Sequence, residues 1–184
     1  IDLSNSDLSN ANLSNTVFKN VNFANANLNN ANLTNIKSTY FDEESSGSGP
    51  IIIHRDPLQN KIQTSFIKAD LSGANLSEAS FIHTYFHETN LTNANLTGAS
   101  FDGSFMKDSN LTNANLTGAI FNITMEMQRV NLTNANLTGA SFEAGMIKDI
   151  NLTNAILIGT DFGRADLSKV IIQKIDKKSI FNKL

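Results

Sequence analysis

The chain has 184 residues with 40% hydrophobic content, and its 14 basic and 17 acidic residues give a formal net charge of −3 at pH 7. This is enough material for one domain, and no apolar run is long enough to cross a membrane. The absence of cysteine excludes disulfides and thiolate metal sites.

The first segment, residues 1–41, follows a period of five residues. Bulky apolar residues, here called centres, stand at every fifth position, and a small residue, here called a lead, precedes most centres by two positions. After Leu33 the pattern predicts a change of phase, in which Phe41 becomes a centre after an insertion of three residues. The centres before that point are Leu3, Leu8, Leu13, Phe18, Phe23, Leu28 and Leu33.

A period of five residues argues against an α-helix. Each helical residue advances by about 100°, so apolar side chains five positions apart would spread around the whole circumference. In extended chain, residues two apart share a face, so a lead and its centre both point inward. The next lead has the opposite parity. The chain must therefore turn a corner every five residues, which predicts a stack of flat sides.

Residues 42–63 interrupt the repeat and contain both prolines of the chain, Pro50 and Pro57. We interpret this segment as an excursion from the scaffold, and we expect function there because loops on rigid scaffolds often carry it. The three isoleucines at 51–53 either fold back as a strand on the scaffold or present an apolar patch to a partner. The predicted partner-binding residues are Glu43, Glu44, Ile51, Ile52, Ile53, His54, Arg55 and Asp56.

The main repeat occupies residues 64–172 and shows a second, longer period. Phe81, Phe101 and Phe121 are spaced by 20 residues, so four sides of five residues complete one coil. One extra residue precedes Leu132; we expect Met127 to be the centre there, with a bulge within 122–126 that is either a site or a tolerated corner. The predicted core consists of Phe81, Leu91, Leu96, Phe101, Leu111, Leu116, Phe121, Leu132, Leu137, Phe142, Leu152, Leu157 and Phe162.

The motif Ala-Asn-Leu-Thr-Gly occurs at 94–98, 114–118 and 135–139, and Ala-Asp-Leu-Ser begins at Ala69 and Ala165. Over most of its length the chain resembles the pentapeptide-repeat family, whose pattern is Ala, then Asp or Asn, then Leu or Phe, then two free positions. The resemblance implies an all-β fold, a right-handed quadrilateral β-helix, which for this length has about seven four-sided coils.

Residues 173–184 leave the repeat and carry four lysines among the apolar residues Ile175 and Phe181. The end of a stack of strands exposes unpaired backbone groups, so solenoids need an end piece or a partner. We expect this tail to form a short amphipathic helix that caps the last coil. The alternative is that the same end joins two copies of the chain into a homodimer.

The outward positions bear on the choice of partner. Some members of the family that the chain resembles act as acidic DNA mimics that bind DNA gyrase, inhibiting it or protecting it from quinolones, so a type II topoisomerase is an alternative partner. Residues 1–172 carry 10 basic and 16 acidic residues, which disfavours direct nucleic-acid binding. The outward columns are mostly amides, however. Mimicry would depend on the scattered carboxylates of Asp102, Asp108, Glu143, Asp149 and Asp161.

The Asn-Leu-Thr triplets predict outward ladders of asparagine and threonine. Thr92, Thr112 and Thr133 would repeat about every 4.8 Å along the stack. Such an array is similar to the threonine arrays of ice-binding β-solenoids, which makes ice binding a minor alternative. The other interpretation is that the amides stabilise the turns and hydrogen-bond along the stack.

Catalysis finds little support in the sequence. His83, His87 and Glu88 lie close together, but their spacing is not a recognised metal-ligand pattern, and no nucleophile turn or phosphate loop is present. We predict no catalytic residue, metal or cofactor. No signal peptide is recognisable, and because the chain starts in repeat phase at Ile1 we expect that an upstream segment was removed; the cytoplasm is slightly favoured. The sequence predicts a non-catalytic scaffold that presents a rigid surface to a protein partner, without membrane contact.

Overall fold

The structure is a computed structural model that describes residues 1–39, 64–122, 126–143, 146–165, 167 and 169–171. The predictions made for the excursion at 42–63 and for a capping helix at 173–184 concern residues outside these ranges. Within them, no helix has the length and hydrophobicity that a membrane crossing requires.

Parallel pairing between successive coils builds the whole described part of the chain. Strands β1–β3 form one parallel sheet in that order, and strands β4–β6 form another. Elsewhere the coils are joined by single parallel bridges, because each side has room for only a few extended residues between corners. The strands are β1 (Val17–Lys19), β2 (Lys37–Thr39), β3 (Ser80–Phe81), β4 (Phe105–Lys107), β5 (Glu126–Gln128) and β6 (Ile147–Lys148).

The bridges define four walls, which we number in chain order within each coil. The residue just before each centre pairs with its equivalent in the next coil, as Asn95 does with Asn75 and Asn115. This pattern gives seven coils, and Ile171 belongs to an eighth because it pairs with Asn151 on wall 2. The paired residues are Ser65, Tyr85 and Phe105 on wall 1, Asp70, Asn90 and Asn110 on wall 2, Asn75, Asn95 and Asn115 on wall 3, and Ser80, Ser100 and Ile120 on wall 4.

Each corner is a tight turn with one residue in the left-handed conformation. At a typical corner the N–H of Ala94 donates to the carbonyl of Leu91 at 3.1 Å, and Asn93 between them has φ +60°. A positive φ at the third residue of such a turn defines type II geometry, which asparagine and glycine tolerate best. The second of the two free positions of the repeat therefore carries Asn or Gly at many corners for a conformational reason.

The interior is a continuous column of apolar side chains. Phe101 stacks on Phe81 and Phe121 with ring centroids 5.2 and 4.8 Å apart. The leads pack beside the centres in the same interior; most are small, such as Ala94, but Ile36 and Ile150 are also buried at lead positions. Of the predicted core residues, only Leu157 and Phe162 are partly exposed, and both lie in the last coil.

The prediction that the repeat changes phase after Leu33 is wrong. Ser38 takes the next centre position without any insertion, since it is buried and pairs with Phe81. A serine at a centre does not match the apolar pattern, which is why the sequence favoured Phe41, a residue outside the described part of the chain. By contrast, Met127 occupies a centre as expected, because it is fully buried and pairs with Met106.

Candidate partner-binding wall

Walls 2 and 3 carry outward ladders of polar side chains that are hydrogen-bonded internally, mostly amides, with the carboxylates Asp7 and Asp70 on wall 2. Asn110 Oδ1 accepts from the backbone N–H of Thr112 at 3.1 Å and from its Oγ1 at 2.6 Å. Asn110 Nδ2 donates to Thr92 Oγ1 of the preceding coil at 3.0 Å, and Asn131 Nδ2 donates to Thr112 Oγ1 at 3.0 Å. The hydroxyls of Thr92, Thr97, Thr112 and Thr117 thus donate within their own coil and accept from the next coil.

These ladders bear on the expectation of ice binding. A threonine hydroxyl has a single proton, and in this array that proton goes to the neighbouring asparagine, as in Thr97 to Asn95 at 2.7 Å. The second interpretation given above, in which the amides hydrogen-bond along the stack, therefore describes what the structure shows. These side chains join successive coils through hydrogen bonds.

Wall 1 departs from this pattern over its middle coils. Tyr85 and Phe105 point outward in adjacent coils, and their rings stack with centroids 4.8 Å apart. Both side chains are partly exposed, as are the neighbouring Ile67 and His87. Further along the same wall Met146 is 66% exposed. Wall 1 therefore has an outward patch of aromatic and aliphatic side chains, which we call the wall 1 patch and define as Ile67, Tyr85, His87 and Phe105.

His87 belongs to this patch, whereas His83 lies at the opposite end of wall 1. The ring of His87 lies beside Tyr85 and Phe105, with centroids 5.8 and 6.4 Å away. Its Nδ1 is buried and has no hydrogen-bond partner among the described residues. His83 sits at the corner that precedes wall 1, where its φ is +52°. Across the described ranges, no group of three or more His, Asp or Glu residues is close enough to hold a metal ion.

The corner between walls 1 and 2 carries charged residues in five successive coils. Arg129 Nε and Nη2 contact the two carboxylate oxygens of Asp108 at 2.6 and 2.7 Å, and Lys68 Nζ lies 3.6 Å from Glu88 Oε2. The hydrogen bond from Arg129 lowers the pKa of Asp108, and the same bond raises the pKa of Arg129. Both pairs are exposed, so each contributes little to stability. Four of the five charges along this corner are thus neutralised within the chain.

The carboxylates on which DNA mimicry would depend do not form one row. Asp102, Glu143 and Asp161 lie on wall 4, whereas Asp108 and Asp149 lie on the far side of wall 1, at its corner with wall 2. Asp108 is also paired with Arg129. The long outward columns of walls 2 and 3 carry amides and hydroxyls instead, so they lack the regular negative charge of a nucleic-acid backbone.

The edge between walls 4 and 1 is where the chain departs from the repeat. The described chain stops at Thr39 on wall 4 and starts again at Thr64, the lead of wall 1, so the excursion begins and ends at this edge. Tyr85 N–H donates to the carbonyl of Thr64 at 3.1 Å, which places this junction directly beside the wall 1 patch. The extra residue before Met127 enters at the same edge. The predicted partner-binding residues Glu43, Glu44 and 51–56 themselves lie outside the described residues.

One inward centre per side, four sides per coil and type II corners define the class of the protein, a four-sided parallel β-solenoid. The model of pentapeptide repeats matches eight copies, at residues 1–36, 62–93, 89–122, 126–144 and 148–176. The chain therefore belongs to the pentapeptide repeat family, and its fold is a right-handed quadrilateral β-helix.

Solved structures of other pentapeptide repeat proteins are similar to the chain. HetL, involved in heterocyst differentiation regulation in the cyanobacterium Nostoc sp. strain PCC 7120, is 24% identical, with 93% of this chain and 76% of HetL covered and a TM-score of 0.55. A protein from the Arabidopsis thaliana thylakoid lumen is 32% identical, with 63% of this chain and 65% of that protein covered and a TM-score of 0.35.

A third structure, QnrB1, a plasmid-mediated fluoroquinolone resistance protein, is 16% identical, with 92% of this chain and 88% of QnrB1 covered and a TM-score of 0.31. No curated protein sequence matches the chain. These likenesses concern the fold and identify no partner.

The wall 1 patch was not singled out from the sequence. Tyr85 and Phe105 stand one position before centres, where the adjacent coils have the polar residues Ser65 and Glu126, so the signal is an aromatic residue at an outward position. To find the wall 1 patch from the sequence, every residue of the repeat has to be assigned to a wall. That assignment depends on knowing where the excursion at 42–63 and the extra residue before Met127 interrupt the register.

Proposed function

We propose that this protein is a non-catalytic scaffold that binds a protein partner through the wall 1 patch and the adjoining edge between walls 4 and 1. The observation that supports this proposal is the partly exposed stack of Tyr85 on Phe105. The fold does not require aromatic residues there, since the equivalent positions of walls 2 and 3 hold mostly amides.

The chemistry of wall 1 is that of a protein interface. Interfaces are enriched in aromatic residues and methionine at their centre and in polar residues at their rim. On wall 1 the aromatic pair is flanked by Lys107, and the internally paired charges Arg129 and Asp108 follow at the corner. The surface is flat and rigid, so a partner can bind it without the protein having to change its shape.

The excursion is the second part of the proposal. It begins and ends beside the wall 1 patch, so Glu43, Glu44 and residues 51–56 would be available to the same partner. Loops on rigid scaffolds are common sites of recognition. The proposal therefore combines a fixed patch with a variable segment at one edge of the solenoid.

The test compares four forms of the tagged protein as baits in quantitative affinity capture. They are the intact chain, a Tyr85→Ser/Phe105→Ser variant, an excursion variant that lacks residues 45–60, and a control variant, Ile82→Ser/Ile120→Ser. The control removes two outward apolar side chains from wall 4, which are 37% and 36% exposed. Circular dichroism first establishes that all four forms are folded.

We expect the intact chain and the wall 4 control to retain the same proteins, and the wall 1 variant to lose at least one of them. Purified candidates are then titrated against each form, and the wall 1 variant should bind about tenfold more weakly or worse, since aromatic contacts at the centre of an interface often contribute more than 2 kcal/mol. Equal retention by all four folded forms would refute a role for wall 1 and for the excursion.

A further inference from the structure

Wall 4 differs from walls 2 and 3 in its outward side chains. With the coils numbered 1–7 in chain order, one outward column contains the residue before each centre, and a second contains the residue after it. The first column consists of Val17, Lys37, Ser80, Ser100, Ile120, Ser141 and Asp161. The second column includes Lys19, Ile82, Asp102, Asn122 and Glu143, on coils 1, 3, 4, 5 and 6. Among the described residues, the Asn–Thr hydrogen bonds of walls 2 and 3 have no equivalent here.

The charges on wall 4 are separated along the solenoid. Coils 1–3 have the exposed lysines Lys19 and Lys37 on this wall and Glu78 at its corner with wall 3, so this half has a formal charge of +1. Coils 4–7 have three carboxylates on the wall and Arg164 at its corner with wall 1, so the other half has a formal charge of −2. No described residue forms an ion pair with the charged side chains of the wall. The three carboxylates are those of Asp102, Glu143 and Asp161.

The corner between walls 3 and 4 is open to a second surface over coils 4–7. Its residue with positive φ is a glycine in each of these four coils, namely Gly98, Gly118, Gly139 and Gly159. A Cβ added at Gly118 or Gly139 would meet no atom within 4 Å. Coils 1–3 have side chains at the same corner, those of Asn15, Asn35 and Glu78. The two halves of this edge therefore differ in shape as well as in charge.

We propose that wall 4 packs against wall 4 of a second copy of this chain, with the two solenoids antiparallel. A twofold axis across coil 4 places coil 1 of one copy opposite coil 7 of the other, coil 2 opposite coil 6 and coil 3 opposite coil 5. Lys37 then approaches Glu143 of the second copy, and Lys19 approaches Asp161 of the second copy. Each of these contacts occurs twice. A parallel arrangement would bring lysine to lysine, so the charges favour the antiparallel one.

The shape of the wall and its apolar side chains also match in this arrangement. The corner side chains of coils 1–3 lie opposite the glycine corners of coils 5–7. Ile82 on coil 3 is 37% exposed and Ile120 on coil 5 is 36% exposed, so Ile82 of each copy approaches Ile120 of the other, on both sides of the axis. Between these contacts Asp102 approaches its own equivalent. That pair of like charges is the unfavourable contact of the interface.

The size of wall 4 makes this dimer weak. Seven coils about 4.8 Å apart extend over about 34 Å, and opposite walls pack about 10 Å apart, so each copy contributes roughly 340 Å². Stable interfaces have about 800 Å² per partner. We therefore expect dimers only at high protein concentration, and we expect salt to weaken them because the contacts between exposed charges are screened.

In such a dimer both wall 1 patches face the same direction. Rotation about an axis that lies across wall 4 keeps wall 1 of both copies on one side of the dimer. The wall 1 patch lies on coils 3–5, which are the coils around the axis, so the two patches are neighbours. A partner with two equivalent sites can then bind both copies at once. This consequence rests on the proposed function, whereas the dimer itself does not.

Sedimentation equilibrium of the purified full-length protein tests the dimer without any partner, at concentrations up to roughly 1 mM. The forms compared are the intact chain, Lys37→Glu, Glu143→Lys, Asp102→Asn and a control variant, Lys148→Glu. The control changes the net charge as Lys37→Glu does, but it lies in β6 on wall 1. Each form is measured at about 0.1 M and about 1 M salt, after circular dichroism has established that it is folded.

We expect the intact chain and the control to dimerise equally at the lower salt concentration. Lys37→Glu and Glu143→Lys should each dimerise at least about threefold more weakly, and Asp102→Asn more tightly because a contact between like charges is removed. An equimolar mixture of Lys37→Glu with Glu143→Lys should recover the dimer, since each copy then meets the opposite charge at both contacts.

A monomer at the highest concentration would overturn the proposal. A dimer that Lys37→Glu leaves unchanged, a dimer that Asp102→Asn weakens, or a mixture that does not recover would overturn it too. None of these outcomes would bear on the wall 1 variants in affinity capture, because a weak dimer is dissociated at the dilution of that experiment.

Discussion

Replacement of Gly118 by alanine tests the corner geometry, because only backbone conformation is at stake. Gly118 has φ +68°, and a Cβ added there would meet no atom within 4 Å. The cost of holding alanine in the left-handed conformation is about 1–2 kcal/mol. The lower entropy of the unfolded alanine variant offsets about 0.4–1 kcal/mol of it. We therefore expect Gly118→Ala to destabilise the protein by about 1 kcal/mol, which is a fall in Tm of about 2–4 °C for a chain of this size.

The sign of this change is informative. In an α-helix the same substitution would stabilise the protein by about 1 kcal/mol, because alanine has the higher helix propensity. The matched control is Gly118→Asn, since Asn15 and Asn35 hold the equivalent corner in the first two coils with φ +58° and +54°. Urea unfolding followed by circular dichroism measures all three forms. A stabilised alanine variant, or an asparagine variant as unstable as the alanine one, would refute the assignment of the corner.

Three other predictions follow from the same structure. Phe101→Ala should lower the free energy of unfolding by about 3–5 kcal/mol, because the ring is fully buried between two other rings. Phe162→Ala should lower it by less, because that ring is partly exposed. Equal losses of the two variants in urea unfolding would contradict the difference in burial. Asp108→Asn should destabilise the protein at neutral pH, because Arg129 lowers the pKa of Asp108 in the folded state. The difference in stability between the intact protein and the Asp108→Asn variant should vanish as the pH falls below about 4 and through the pKa of Asp108 in the folded state. A difference that persisted in acid would show that the ion pair with Arg129 is not its cause. DNA gyrase supercoiling should be unaffected by a large molar excess of the protein, since its outward columns on walls 2 and 3 are mostly neutral amides; inhibition would instead support a type II topoisomerase as the partner.

The fold could be predicted from the sequence because the five-residue period of apolar residues recurs in every coil. Leu91, Leu96 and Phe101 each occupy an inward position that is followed by a corner, and the spacing of 20 residues between Phe81 and Phe101 indicates four such sides per coil. Errors arose where one residue broke the pattern. Ser38 is a buried centre whose hydroxyl lies 2.7 Å from Thr84 Oγ1, and no apolar period can identify a polar side chain that is satisfied by a partner 46 residues away.

The candidate site was less accessible to sequence reasoning. The internal hydrogen bonds of the asparagine and threonine ladders depend on distances between coils, so the sequence could not decide between ice binding and internal stabilisation. The wall 1 patch depends on Tyr85 and Phe105 being neighbours, although they are 20 residues apart. The prediction that residues 42–63 carry recognition stays a prediction, and the structure adds only that this excursion begins and ends beside the patch.

The most direct test of the account is a measurement of scalar couplings across backbone hydrogen bonds by NMR on the deuterated protein. The stacked coils predict a coupling between the amide nitrogen of Phe101 and the carbonyl carbon of Ile120, whose oxygen is 2.8 Å from that nitrogen. A coupling from Phe101 to the carbonyl of Thr97, four residues earlier, would show an α-helix at this position and contradict the four-sided solenoid.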